Sequence, residues 1–284
     1  MIEYRCLTVR GKLNCFTARV EGNVGVLGQR DSGKEEIVRA TFRLVKAEGE
    51  VIIDGINVLK VNTEELNRLL WTKVSLVTYD PKAMFNPIYD IASHFVEVSV
   101  SHELGGSSCA LELAKEALKV LGEKEEVLYM YPHQLSTFRL KRVAIALALF
   151  TEPEHVFVED VEYGLGELER AYIVNSLIDA LSSYSSKYVV FDNDPAVLSR
   201  LVDYVYVVYK GEVVEEGSEV LTRPMHPYTV DYLDGVVKDS ERGQGCVYSN
   251  ACRFSSQKCR EGTPNTFRYP GGAVRCNLYP WRGQ

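Results

Sequence analysis

The sequence predicts an α/β protein with a helical insertion and a small cysteine-rich C-terminal extension. Three observations predict it. Short apolar strands alternate with amphipathic helices, and a glycine-rich turn at residues 28–35 joins an apolar strand to a helix. After about residue 235 the composition shifts to Cys, Gly, Arg and Pro with little periodicity.

In chain order, residues 1–28 alternate like paired strands and end in the compact apolar run NVGVLG. GQRDSGK then turns into EEIVRATFRLV, whose apolar residues recur at helical spacing. GEVIIDG reads as a strand bounded by glycines, and KVSLVTYD as a buried strand. From about Asp80 to Phe150 the pattern is mostly helical, closing with LKRVAIALALF. HVFVED and KYVVFDND read as two more buried strands, separated by the helical ELERAYIVNSLIDAL. VYVVYKGEVVEEG reads as a hairpin. The expected organisation is one domain over 1–235, with a helical part at about 82–150, followed by a cysteine-rich region over 236–284.

At 284 residues with 46% hydrophobic and 25% charged residues, the chain has the composition of a globular protein with a sizeable core. A net charge of −7 argues against nucleic acid as a partner, because phosphate contacts need a basic surface. No run reaches the ~20 apolar residues of a membrane span, and the N-terminus lacks an apolar signal segment. The expected location is therefore the cytoplasm, peripheral on the inner face of the membrane if a membrane partner exists.

Gly28-Gln29-Arg30-Asp31-Ser32-Gly33-Lys34-Glu35 matches G-x-x-x-x-G-K-[ST] at seven of eight positions. Gly28, Ser32 and Gly33 allow backbone N–H groups to turn toward a phosphate, the helix N-terminus adds positive potential, and Lys34 adds a point charge. Glu35 stands where a hydroxyl would ligate magnesium, and it sets a negative charge beside the phosphates. Weakened Mg-nucleotide binding is expected.

Of the seven cysteines, Cys6, Cys15 and Cys109 are scattered and read as small buried apolar residues. Cys246, Cys252, Cys259 and Cys276 are separated by five, six and sixteen residues, which is neither a paired C-x-x-C nor a tight ferredoxin run. By count the four thiolates suit zinc or an iron–sulfur cluster, and disulfides are disfavoured in a reducing compartment.

Several segments in order resemble the ATPase subunits of oligopeptide/dipeptide-type ATP-binding-cassette (ABC) importers. VSLVTYDPKAMFNP looks like the Q-loop segment, YPHQLSTFRLKRVAIALAL is similar to the signature segment, and EPEHVFVEDVEYGLG occupies the Walker B and D-loop region. GEVVEEGSEVLTRPMHPYT resembles the hairpin and His-Pro-Tyr-Thr ending of the oligopeptide subgroup. The resemblance implies an ABC-type P-loop domain binding ATP or ADP with Mg2+. It also implies a [4Fe–4S] cluster on the four terminal cysteines, with Zn2+ as the alternative. The implied partners are a second, more complete ATPase subunit, two permease subunits and, indirectly, an external solute-binding protein.

The departures fall on the chemistry. Tyr79 stands for the Q-loop Gln, and Thr137 and Phe138 follow Leu135 and Ser136 where the signature has two glycines. The Walker B acids are inverted as Glu159-Asp160, which leaves Asp160 as a shortened candidate base. Gly166 replaces the D-loop Asp, and Asn193 the switch His. Tyr4 is a poor match for the aromatic that stacks on adenine. The implied function is a non- or weakly hydrolysing subunit that drives solute uptake with its partner. The alternatives are an active ATPase using the substituted residues, or a soluble nucleotide- or redox-sensing regulator detached from any transporter.

Overall fold

The computed structural model describes residues 1–238 and 240–279. β1 (Ile2–Val9), β2 (Leu13–Val20) and β3 (Val24–Leu27) lead into α1 (Lys34–Thr41). β4 (Glu48–Ile53), β5 (Ile56–Asn57), α2 (Thr63–Leu69) and β6 (Val74–Val77) follow. A helical stretch carries α3 (Ile91–Ser101), α4 (Ser107–Val120) and α5 (Thr137–Leu149). Then come β7 (His155–Glu159), α6 (Glu167–Ser183), β8 (Lys187–Asp192), α7 (Pro195–Leu201), β9 (Tyr204–Tyr209) and β10 (Glu212–Gly217). The described chain closes with α8 (Pro227–Leu233), α9 (Gln257–Glu261), β11 (Thr266–Tyr269) and β12 (Gly272–Arg275). These elements form two compact units: Met1–Lys60 with Phe191–Gln284, and Val61–Val190.

The first unit holds an antiparallel sheet ordered β2-β1-β4-β5 and a second run of strands ordered β11-β12-β10-β9-β3. β1 and β2 alternate buried and exposed residues over most of their length, as strands covered on one face do. β3 is buried at all four positions and pairs in parallel with β9, the mark of a strand covered on both faces. The second unit sets β8, β7 and β6 side by side, with β6 and β7 parallel. Its helices pack around α5, which buries Leu140 through Leu149 except Arg142.

The tail departs from the loop-rich reading. Residues 266–275 fold back as β11 and β12, and β12 pairs antiparallel with β10. The turn between them, Tyr269-Pro270-Gly271-Gly272, has Gly271 at φ +91°, the Pro-then-Gly order of a tight turn. Four-residue strands give too short an alternation to stand out from the surrounding irregular sequence.

The scattered cysteines also depart from expectation. Cys6 and Cys15 are exposed and joined by a disulfide, and Cys109 is exposed. Both bridged residues adopt positive φ, +47° and +51°, where β1 and β2 slip register. That kink turns the two side chains out of the alternation which would have buried one of them.

Candidate functional site

Gly28 through Glu35, with Asn193 and the four terminal cysteines, belong to the first unit. Tyr79, Leu135 to Phe138, Glu159 and Asp160 belong to the second.

The phosphate loop leaves the buried end of β3 and enters α1 at Lys34. Gly33 is the residue before the helix, at φ +101°, and a Cβ there would lie 2.6 Å from the Lys12 carbonyl oxygen. Only glycine satisfies both the backbone conformation and the approach. The Ser32 N–H donates to the Gln29 carbonyl at 3.1 Å, and the Gly211 N–H donates to the Ser32 carbonyl at 2.6 Å. The β9–β10 turn thereby clamps the loop. A cavity of about 1040 Å³ opens over it, lined by residues of the β1–β2 turn, Gln29 to Ser32, Tyr209, Lys210 and Arg242. The cavity is basic, with Arg10, Lys12, Arg30, Lys210 and Arg242 in its lining.

Lys34 is only 1% exposed, and its Nζ lies 2.9 Å from Oε1 of the neighbouring Glu35. The ammonium a phosphate would use is engaged by a carboxylate from the next residue. Tyr4 is buried, hydrogen-bonded to Thr41 at 2.9 Å and packed edge-on against Phe16 at 5.2 Å, so its ring offers no face to a base.

In the second unit Glu159 closes β7 and is half-buried, and Asp160 follows at φ +36°. The Tyr163 N–H donates to the Asp160 carbonyl at 2.9 Å, which turns the chain toward Gly164 (φ +76°) and Gly166, where α6 begins. Tyr79 is about half exposed, and its ring meets that of Tyr163 edge-on at 5.5 Å. The signature segment starts α5. Ser136 caps the helix, its Oγ accepting the Arg139 N–H at 3.3 Å. Thr137 and Phe138 fill the first turn, with the Arg142 guanidinium 5.0 Å over the Phe138 ring. Arg142 and Arg139 both bond the buried Glu123, at 3.3 and 2.9 Å. Phe138 is thus held in place, and Leu135 is buried beneath the segment.

Sequence reasoning missed three features of these elements. Lys141 is completely buried, and its Nζ donates to the Tyr79 carbonyl at 2.8 Å. The His-Pro-Tyr-Thr marker, given no chemical role from sequence, caps and buries α8. His226 Nδ1 accepts the Tyr228 N–H at 3.1 Å. Burial, with a smaller push from the Arg275 charge, lowers the His226 pKa to about 3. Tyr228 packs 4.3 Å from Tyr209 and 5.4 Å from Tyr248, and its hydroxyl faces the backbone of Gln29 in the phosphate loop. The 17 tyrosines hid this column among ordinary strand residues. Asn193 is exposed at the end of β8, and its carbonyl accepts from the Tyr232 hydroxyl at 2.5 Å. His133 is exposed and stacked on Tyr131.

The tail is anchored on α8 by Tyr248, whose hydroxyl donates to Asp231 at 2.6 Å, and by an Arg253–Asp231 ion pair at 3.2 Å. The backbone N–H groups of Tyr248, Phe254 and Leu278 face the sulfurs of Cys246, Cys252 and Cys276, in each case two residues back, and favour their thiolates. Cys259 Sγ receives Ser256 Oγ at 3.4 Å and Asn277 Nδ2 at 3.7 Å, which help hold its thiol below the usual range. Burial pushes the other three up, Cys276 to about 11, and the four sulfurs lie within electrostatic reach of one another. Among the described residues, however, no group of three or more His, Cys, Asp or Glu side chains is arranged to hold a metal ion.

A phosphate loop between β3 and α1, with an inserted helical stretch leading to α5 and β7, defines a P-loop nucleotide-binding fold. Solved structures of ATP-binding cassettes share this fold. The chain matches a dimeric cassette, MJ0796, in a post-hydrolysis state bound to ADP and Pi, at a TM-score of 0.67 and 22% identity, covering 77% of this chain and 98% of that one. It also matches cbiO1 of Clostridium perfringens, part of the ABC transporter complex cbiONQ, at 0.66 and 19%, covering 77% and 88%. No family model matches the chain. The chain is a homologue of dipeptide and oligopeptide transport ATP-binding proteins. It is 28% identical to DppD of Caldanaerobacter subterraneus, over 89% of this chain and 86% of that protein. It is 25% identical to DppD of Haemophilus influenzae, over 89% and 85%, and 24% identical to OppD of Escherichia coli, over 92% and 85%.

Proposed function

We propose that this chain is the ATP-binding subunit of an oligopeptide- or dipeptide-type ABC importer, with little or no hydrolysis of its own. The observation that carries the second half of this reading is the Lys34–Glu35 pair. An entering phosphate must displace the Glu35 carboxylate from a nearly fully buried ammonium, and then share the site with it. Two like charges about 4 Å apart repel by about 4 kcal/mol per unit charge at an effective dielectric of about 20. Phosphoryl transfer relies on positioning and electrostatics, so that repulsion acts on binding and rate together. Glu159 and the shortened Asp160 supply the only Walker B acids, and Asn193 offers no imidazole.

In this reading the chain pairs with a more complete ATPase, lending Ser136 and its neighbours to the partner's phosphate loop. Phe138, held by Arg142, narrows that approach. Two permease subunits dock on the second unit, where Tyr79, Ile88, Tyr89, Tyr129 and Tyr131 expose large apolar surface. An external solute-binding protein delivers the cargo. Among the described residues no helix is long and apolar enough to cross a membrane, so attachment runs through the permeases at the inner face. Cys246, Cys252, Cys259 and Cys276 would hold a [4Fe–4S] cluster. Their sulfurs already face N–H or O–H donors, which suit thiolate ligands, and the cluster would staple the tail.

The deciding experiment is ATP turnover by the chain alone and with its co-purifying partners. The reading expects negligible turnover alone and turnover in the complex that survives Lys34→Ala. Turnover by the isolated chain that Lys34→Ala abolishes would instead make it an active ATPase using Asp160.

A further inference from the structure

Away from the phosphate loop the first unit holds a second, open cavity of about 520 Å³, within the range of small-molecule sites. One wall comes from β1 and β2. The other is set by strand register. Tyr206 on β9 pairs with Glu216 on β10, Glu216 with Ala273 on β12, and Ala273 with Arg268 on β11. Laterally paired residues share a sheet face, so these four form one row, and all four line the cavity. Two strand spacings place Glu216 and Arg268 about 10 Å apart at Cα. Between them stands only the methyl of Ala273.

Six charged side chains line this cavity. Glu3 and Arg19 are ion-paired at 3.5 Å, and Arg275 pairs with Glu212. The Glu215 carboxylate accepts the Met225 and His226 N–H groups at 2.6 and 2.9 Å. Glu216 and Arg268 are different. Among the described residues neither side chain makes a hydrogen bond or an ion pair, and they interact only through their fields. Burial pushes the Glu216 carboxyl above its usual range, and the Arg268 charge opposes this only in part. A desolvated carboxylate without a close cation is costly. It persists here with its opposite charge in the same row but not in contact with it.

We infer that this cavity binds a small zwitterion, its ammonium on Glu216 and its carboxylate on Arg268. The backbone of the ligand lies over Ala273, against the edge of Tyr206. A free α-amino acid and a short peptide carry the same pair of charges, and they differ in the distance between them. The site is independent of nucleotide and of the transport reading, and it would make the chain responsive to a solute.

Calorimetric titration of the full chain with L-alanine and with L-alanyl-L-alanine tests the inference. At least one should bind saturably, and the tighter of the two identifies the source. N-acetylation or C-terminal amidation of that compound should each weaken binding at least about tenfold, the loss of one charge-assisted contact. Glu216→Gln and Arg268→Gln should each do the same while melting at the wild-type temperature. Absence of saturable heat with both compounds at millimolar concentration overturns the assignment. So does binding that is indifferent to capping or to both substitutions.

Discussion

The Lys141 ammonium, fully buried one turn into α5, donates to the Tyr79 carbonyl at 2.8 Å. The helix that opens with Ser136, Thr137 and Phe138 is thereby tied to Tyr79. The link between them is a charge-assisted bond.

Lys141→Met keeps the volume and removes the charge. It leaves the Tyr79 carbonyl without its donor, so the expected loss is about 1–3 kcal/mol. Urea unfolding of the two proteins measures it. An unchanged midpoint would mean the bond holds no structure together.

Glu35→Ser removes the carboxylate that pairs with Lys34 and restores a hydroxyl at the position before Glu36. Mg-ATP affinity should rise at least about tenfold, which corresponds to 1.4 kcal/mol. Equilibrium binding of a fluorescent ATP analogue reads this directly. An affinity that stays flat would show that the carboxylate does not obstruct the phosphates.

His226 is neutral in the fold, with its pKa lowered to about 3, whereas an unfolded chain titrates it near 6.5. Between those values the unfolded state binds the extra proton, so stability falls as pH drops through that window. The slope approaches 1.4 kcal/mol per pH unit, or about 2 kcal/mol between pH 6.5 and 5. His226→Asn retains a helix-capping acceptor and should lose this part of the acid sensitivity. Unfolding at pH 7 and pH 5 compares the slopes, and parallel slopes would refute the assignment.

Anaerobic purification should yield four iron and four sulfide per chain, with broad absorption near the visible range, if the tail holds a [4Fe–4S] cluster. Cys276→Ser should abolish both. One zinc and no sulfide would replace the cluster with a tetrahedral site, and a metal-free, fully folded chain would remove the metal altogether.

Much of the framework was legible because it rests on periodicity and glycine. The run NVGVLG ahead of GQRDSGK names a strand, a loop and a helix, and β3 and α1 follow it. The departures from the resembled segments were visible too, since each is a single substitution in the sequence. The responses to those substitutions were not. That Glu35 turns onto Lys34, or that Arg142 covers Phe138, depends on rotamers that no pattern encodes. Lys141 was hidden for another reason. In LKRVAIALALF a lysine reads as a solvated residue, and its bond to the Tyr79 carbonyl is not encoded in the pattern. Cys6 and Cys15 misled because alternation assigns faces only while register is kept, and both strands slip there.

The pairing of β12 with β10 also bears on synthesis. Until residues 266–275 have emerged, one side of β10 presents unsatisfied N–H and C=O groups over Glu215 to Gly217. Such a rim adheres to other chains. That segment is therefore the one that shields this side of β10 from neighbouring chains. Truncation ahead of Thr266 should send the product into inclusion bodies even where every nucleotide-binding element is intact.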